Sequence, residues 1–171
     1  MTTAENNTTS STSFLSSNDL FNEWLGHRRL TRRVIEAFPE DKIFDYSIGG
    51  MRTFADMVKE LLDVSAPGVK GIITGEWGNE QGFTEHSARA VAASKADLLE
   101  LWDAATAEIV TYLPQISGTR LQERILAFGM YEGQVFSTIL YFIDNEIHHR
   151  AQGTVYLRSM GIEPPAFWNR D

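Results

Sequence analysis

The chain has 171 residues, 43% of them hydrophobic, and 15 Lys and Arg stand against 23 Asp and Glu for a net charge of −8. That length suits one domain, and the acidic balance excludes the basic footprint by which nucleic-acid-binding proteins hold phosphates. With no cysteine there is no disulfide framework, thiolate metal site or cysteine nucleophile, and no apolar run nears the ~20 residues of a membrane span.

The first sixteen residues, MTTAENNTTSSTSFLS, are rich in Thr, Ser and Asn. They lack the basic start and apolar run of a secretory signal, which predicts a disordered tail over 1–16 and a cytoplasmic protein. The remainder, 17–171, reads as a single domain. A helix is expected from a cap at Ser17 or Asn18 to Phe38, where Pro39 stops it. Leu20, Trp24, Thr31, Val34 and Phe38 form its inward stripe, and His27 falls on that stripe. Arg28, Arg29, Arg32 and Arg33 are expected on a solvated face. Residues 40–50 read as a loop around Gly49-Gly50. A second helix opens at Thr53, whose spacing to Asp56 resembles a capping box. Phe54, Met57, Val58, Leu61 and Leu62 supply its apolar face, with Glu60 at the edge.

Residues 65–83, glycine-rich and carrying Pro67, are expected to form a long functional loop. A third helix covers about 84–113, beginning in earnest at Ser94 with Asp97 three residues on, and ending at Pro114. His86 near its start is expected at the surface. Residues 115–131 read as a connector. A fourth, longer helix runs from about Glu132 to Met160, with Gly161 beyond its end. Phe167 and Trp168 in the tail are expected to fold back onto the helices. No repeat is visible and nothing alternates with period two for long, so the fold class is all-α, a four-helix bundle.

The densest chemistry lies in the fourth helix, in FSTILYFIDNEIHHRAQGTVYLRSMG. Asn145 and His149, four apart, share one face, near Tyr141, Gln152 and Tyr156. Three arrangements compete. A carboxylate di-iron centre needs two Glu-x-x-His motifs, and Glu146 with His149 supplies only one. A mononuclear site would use Asn145 and His149 with a third ligand, such as Glu60, from another helix. A metal-free network would tie His148, His149, Asp144 and Arg150 together by hydrogen bonds and ion pairs.

The run IDNEIHHRAQGTVYLRSMGIEPPAFW closely resembles the fourth-helix signature of the DinB/YfiT-like proteins, and GGMRTFADMV resembles the start of their second helix. The likeness extends over about 17–171. It implies a four-helix bundle of up-down-down-up order, with a divalent ion on three histidines: one on the second helix, two on the fourth. It also implies thiol-dependent transferase or metal-dependent hydrolase chemistry on a small-molecule substrate, and a homodimer. Of the three ligand positions, His149 matches; Asn145 and Glu60 stand where the family has histidine. Glu60, Asn145 and His149 are thus the candidate metal ligands. This harder donor set suits Mn or Fe at least as well as Zn, with Ni also to be considered. A carboxylate in the set also leaves less net charge to acidify a bound water. His148 is the nearest candidate for a general base, and Tyr141, Tyr156 and the 65–83 loop are expected to line the pocket. The alternative is a non-catalytic, metal-free dimeric bundle that binds a small molecule or a protein partner.

Overall fold

The computed structural model describes residues 16–77 and 92–171. Among these residues, four long helices carry the core: α1 (Ser17–Ala37), α2 (Phe54–Thr74), α3 (Lys95–Tyr112) and α5 (Val135–Ser159). A short helix α4 (Gly118–Gln122) and two strands, β1 (Arg124–Ala127) and β2 (Tyr131–Gln134), lie between α3 and α5. Helix α1 packs on α3 and α5, and α2 packs on the same two, so the four follow one another around a ring as α1, α3, α2, α5.

Local chemistry sets the helix ends. Ser16 caps α1, one residue earlier than expected, because Asp19 returns its carboxylate to the Ser16 backbone N–H and completes a capping box. Helix α1 stops before Phe38, which the following Pro39 holds in an extended conformation. Thr53 caps α2, and Ser94 with Asp97 caps α3, as their spacing predicts.

Three expectations need correction. The predicted loop at 65–83 is helix as far as Thr74, and only Gly75 in a left-handed conformation ends α2. Pro67 withholds one N–H, but the helix continues because Val64, Ser65, Ala66, Gly68, Val69, Gly71 and Ile72 are all buried. The rest of that predicted loop from 78 on, and His86, lie outside the described residues, as does the tail over 1–15. The connector at 115–131 holds a two-stranded antiparallel hairpin, Arg124 opposite Gln134 and Ala127 opposite Tyr131. Its four-residue strands are too short for alternation to show in sequence. The hairpin also delays α5 to Val135. Finally, Phe167 and Trp168 do not fold back: they are 71% and 73% exposed. The tail is held instead by backbone, Arg29 and Arg33 donating to the carbonyls of Arg170 and Asn169.

Helices α2 and α5 approach closely at two glycines. A Cβ on Gly153 would lie 2.4 Å from the Phe54 ring, which itself stacks on Phe38 at 4.4 Å. Gly153→Ala is therefore expected to destabilise by about 1–3 kcal/mol through overpacking, despite alanine's better helix propensity. Urea unfolding reads it; an unchanged midpoint would mean the ring has room to turn.

The arginine face of α1 is not uniformly solvated. Arg28 is 1% exposed, its guanidinium 3.4 Å from the Trp102 ring centroid and bonded to Thr106 and the Trp102 carbonyl. It faces the buried Glu146, whose carboxylate accepts from Trp24 Nε1 at 3.0 Å and Thr31 Oγ1 at 2.7 Å. Arg150 enters from α5 and donates to Thr31 Oγ1 at 3.2 Å and His27 Nδ1 at 3.1 Å. This ionic core joins α1, α3 and α5.

His27 accepts from a guanidinium, so it must stay neutral. Burial, then the charges of Arg150 and Arg170, push its pKa from the ordinary 6.5 to about 4, with Glu23 opposing. Because the folded value lies below the unfolded one, the stability it confers is complete above pH 6.5 and is lost as the pH falls toward 4. The loss should reach about 3 kcal/mol. Urea unfolding at pH 7 and pH 5 should show most of it, and His27→Gln, which still offers an acceptor to Arg150, should flatten the dependence.

Candidate functional site

Helix α2 brings Glu60 and helix α5 brings Asn145 and His149 to one place. His149 Nε2 lies 3.1 Å from Glu60 Oε1, and Asn145 Nδ2 donates to the same oxygen at 3.3 Å. All three predicted ligand positions therefore meet, and Glu60 faces inward, about a quarter exposed at its side chain. A fourth group also arrives there. Arg52, just before the cap of α2, places Nη2 2.5 Å from Glu60 Oε2 and 3.5 Å from His149 Nε2. Its backbone is pinned by Tyr156, whose hydroxyl donates to the Arg52 carbonyl at 2.8 Å. On the far side of the ring, His149 Nδ1 sits 2.8 Å from Gln152 Oε1, and Gln152 reaches on to the Met51 sulfur.

The electrostatics follow from these contacts. The His149 hydrogen bond, then that from Arg52, holds the Glu60 carboxyl down at about pKa 2, against the opposing effect of burial. Glu60 is thus an ionised carboxylate whose two oxygens accept three hydrogen bonds. Tyr141 is raised above the ordinary phenol value by burial and then by the nearby Glu60 charge.

The other predicted residues lie elsewhere. His148 is on the exposed face of α5, its ring edge-on to His149 at 5.0 Å, and Asp144 is exposed as well. Arg150 turns into the ionic core. The imagined network of these three with His149 is therefore not formed; adjacent residues on a helix diverge by roughly 100°. Glu146 serves Trp24 and Thr31 rather than His149. Sequence reading missed Arg52 in this role. The available signal was chemical: a carboxylate in place of a neutral ligand, at a half-buried position, needs a cation.

A cavity of about 510 Å³ opens beside the cluster, between α2, α5 and the hairpin. Glu60 and Arg52 form its polar end, and Phe128, Tyr131, Tyr141 and Phe142 its apolar walls. Of the two tyrosines expected there, Tyr141 lines it, while Tyr156 is buried beneath Arg52. The hairpin lines it as well, whereas none of residues 65–77 does, and the rest of the expected 65–83 loop lies outside the described residues. Phe128 at its turn has φ 53°, the left-handed region, which costs a non-glycine residue about 1–2 kcal/mol. Its buried ring, 5.2 Å from Trp77 and 6.4 Å from Phe142, offsets that strain.

Fold and site together define a helical protein with a histidine–carboxylate–arginine cluster beside an open pocket. The chain belongs to the DinB family: the family model matches residues 6–170. Its structure is similar to that of a DinB-like protein from Bacillus cereus ATCC 10987, with TM-score 0.71 and 15% identity, covering 91% of this chain and 100% of that one. It is also similar to a DinB-like protein from Bacillus subtilis, with TM-score 0.69 and 22% identity, covering 90% and 100%. A search of curated proteins finds no match.

The resemblance implied a divalent ion, and the donor set does not fit one as arranged. Spacing is not the obstacle, since ligands ~2.1 Å from an ion are themselves about 3.4 Å apart in a tetrahedral site. The obstacle is occupancy by charge and hydrogen. His149 Nε2 faces an oxygen that only accepts, so it donates rather than offering a lone pair. Asn145 turns its amide nitrogen, not its oxygen, to Glu60. Arg52 already neutralises the carboxylate. Among the described residues no three His, Cys, Asp or Glu side chains group as metal ligands, and no helix is long and apolar enough to cross a membrane.

Proposed function

We propose that this chain is a small-molecule-binding member of its family, with the α2–α5–hairpin cavity as the binding site, Arg52 and Glu60 at its polar end and His149 behind Glu60. The observation that carries the reading is the cavity itself, which has the volume of a ligand site and mainly apolar walls, with Arg52, Glu60, Asp63 and Glu132 as its charged groups. The helix pairing is compatible with a four-helix bundle of up-down-down-up order, and the family likeness supports a homodimer. Thiol-dependent transfer or metal-dependent hydrolysis is the second reading. Glu60, Asn145 and His149 do converge at the positions where the family places its ligands, but the Arg52 ion pair on Glu60 weighs against its metal-dependent form.

The test uses the full chain with Nile red as an apolar reporter. Saturable fluorescence enhancement is expected in wild type. It should be lost in Ser137→Trp, which fills the cavity from an exposed position, with the melting temperature unchanged. Enhancement that Ser137→Trp leaves intact would place the dye, and the reading, elsewhere. A panel of small acids, amines and thiols can then be ranked by displacement of the dye.

A further inference from the structure

We infer that the Arg52 guanidinium occupies the role of a divalent cation in this cluster, so that the three converging side chains form a latent metal site which Arg52 closes. This goes beyond the cavity reading and does not depend on it: a cavity that binds nothing leaves it standing.

Three observations carry it. Glu60, Asn145 and His149 come from two helices to one point, Asn145 and His149 each within 3.3 Å of Glu60 Oε1. The guanidinium of Arg52 reaches that point, with Nη2 2.5 Å from the second carboxylate oxygen and 3.5 Å from the imidazole nitrogen. Tyr156 fixes the Arg52 carbonyl and Thr53 immediately caps α2, so the backbone is set, and the ion pair with Glu60 holds the half-exposed guanidinium in place. Guanidinium keeps its proton at any physiological pH. A divalent ion entering the cluster would meet a fixed positive charge at near-contact distance and would have to displace it from its carboxylate. The residue that excludes the ion is thus outside the three ligand positions, so comparing those positions alone would misjudge the site.

The chemistry also predicts what opens it. A neutral side chain at 52 frees Glu60 Oε2, and Glu60 with His149 then offers one carboxylate and one imidazole, with the Asn145 amide able to turn its oxygen inward. That mixed donor set takes a borderline divalent ion such as Zn(II) or Ni(II).

The experiment titrates tag-free full-length protein with Zn(II) and Ni(II) by calorimetry, and reads Co(II) d–d absorption as a signature of coordination. Wild type is expected to bind no ion through His149. Arg52→Met and Arg52→Gln should each bind one equivalent of Zn(II) at least about a hundredfold more tightly than wild type, and the added His149→Ala substitution should abolish it. Arg52→Lys, which keeps the charge, should behave like wild type. Arg52 is 49% exposed at its side chain, so these variants should fold, and circular dichroism checks that they do. His149-dependent binding by wild type or Arg52→Lys at the affinity of the neutral variants would overturn the inference. So would folded Met and Gln variants that bind no ion.

Discussion

Glu146→Ala should lower the unfolding free energy by about 3–5 kcal/mol, the cost of leaving buried charge uncompensated. Glu146 is 1% exposed, 3.7 Å from the guanidinium of Arg28, and its charge also favours the charged form of the buried Arg150. Removing it leaves two interior guanidinium groups without their shared carboxylate and strips Trp24 Nε1 of its acceptor, while Thr31 Oγ1 keeps only the His27 carbonyl. Glu146→Gln, which keeps the shape and one acceptor, should cost roughly half as much. Urea unfolding at pH 7 measures both. In thermal melts the alanine variant should lose about 6–20 °C. A loss below about 1 kcal/mol would show that the remaining partners, Trp102 and Thr106 for Arg28 and Thr31 and His27 for Arg150, suffice to hold the arginines.

Phe142→Ala should be comparably severe, about 3–5 kcal/mol, and should also change binding. The Phe142 ring is 2% exposed, packs 6.1 Å from Trp24 and 6.3 Å from Tyr141, and forms a wall of the cavity. Its loss joins the cavity to the core, so Nile red should bind more weakly even where the variant stays folded. A paired measurement isolates the cause. A Cβ on Gly68 would sit 2.3 Å from the Phe142 ring. Gly68→Ala should therefore destabilise the wild type but be close to neutral in the Phe142→Ala background. Equal effects in both backgrounds would mean that α2 and α5 separate rather than clash.

Neither large effect could be ranked from the sequence. Of the stripe read at helical spacing, Trp24, His27, Thr31, Val34 and Phe38 are buried and Leu20, in the first turn, is half-buried. Arg28 sits one residue beyond His27, and its charge argued for solvent. It is buried because α3 presents Trp102 and Thr106 to it, residues more than 70 positions away. Burial of a charged group depends on partners that only the packed structure supplies. The hairpin and the extended α2 were missed for related reasons. Short strands leave little period to read, and Pro67 marks a helix end only where no apolar contact carries the chain onward.

The site shows the same division. The family likeness picked out Glu60, Asn145 and His149, and their side chains do meet. What their meeting amounts to was set by Arg52, which no spacing rule joins to Asn145 or His149.

Taken alone, the order of residues determined the helical class, the caps at Thr53 and Ser94, the inward stripes and the family, because caps and periodicity are local and act within a few residues along the chain. The tertiary structure alone decided which charges went inside, where the cavity lies and which cation holds Glu60. Those outcomes depend on distances and desolvation between segments far apart in sequence, and they exist only once the helices have packed.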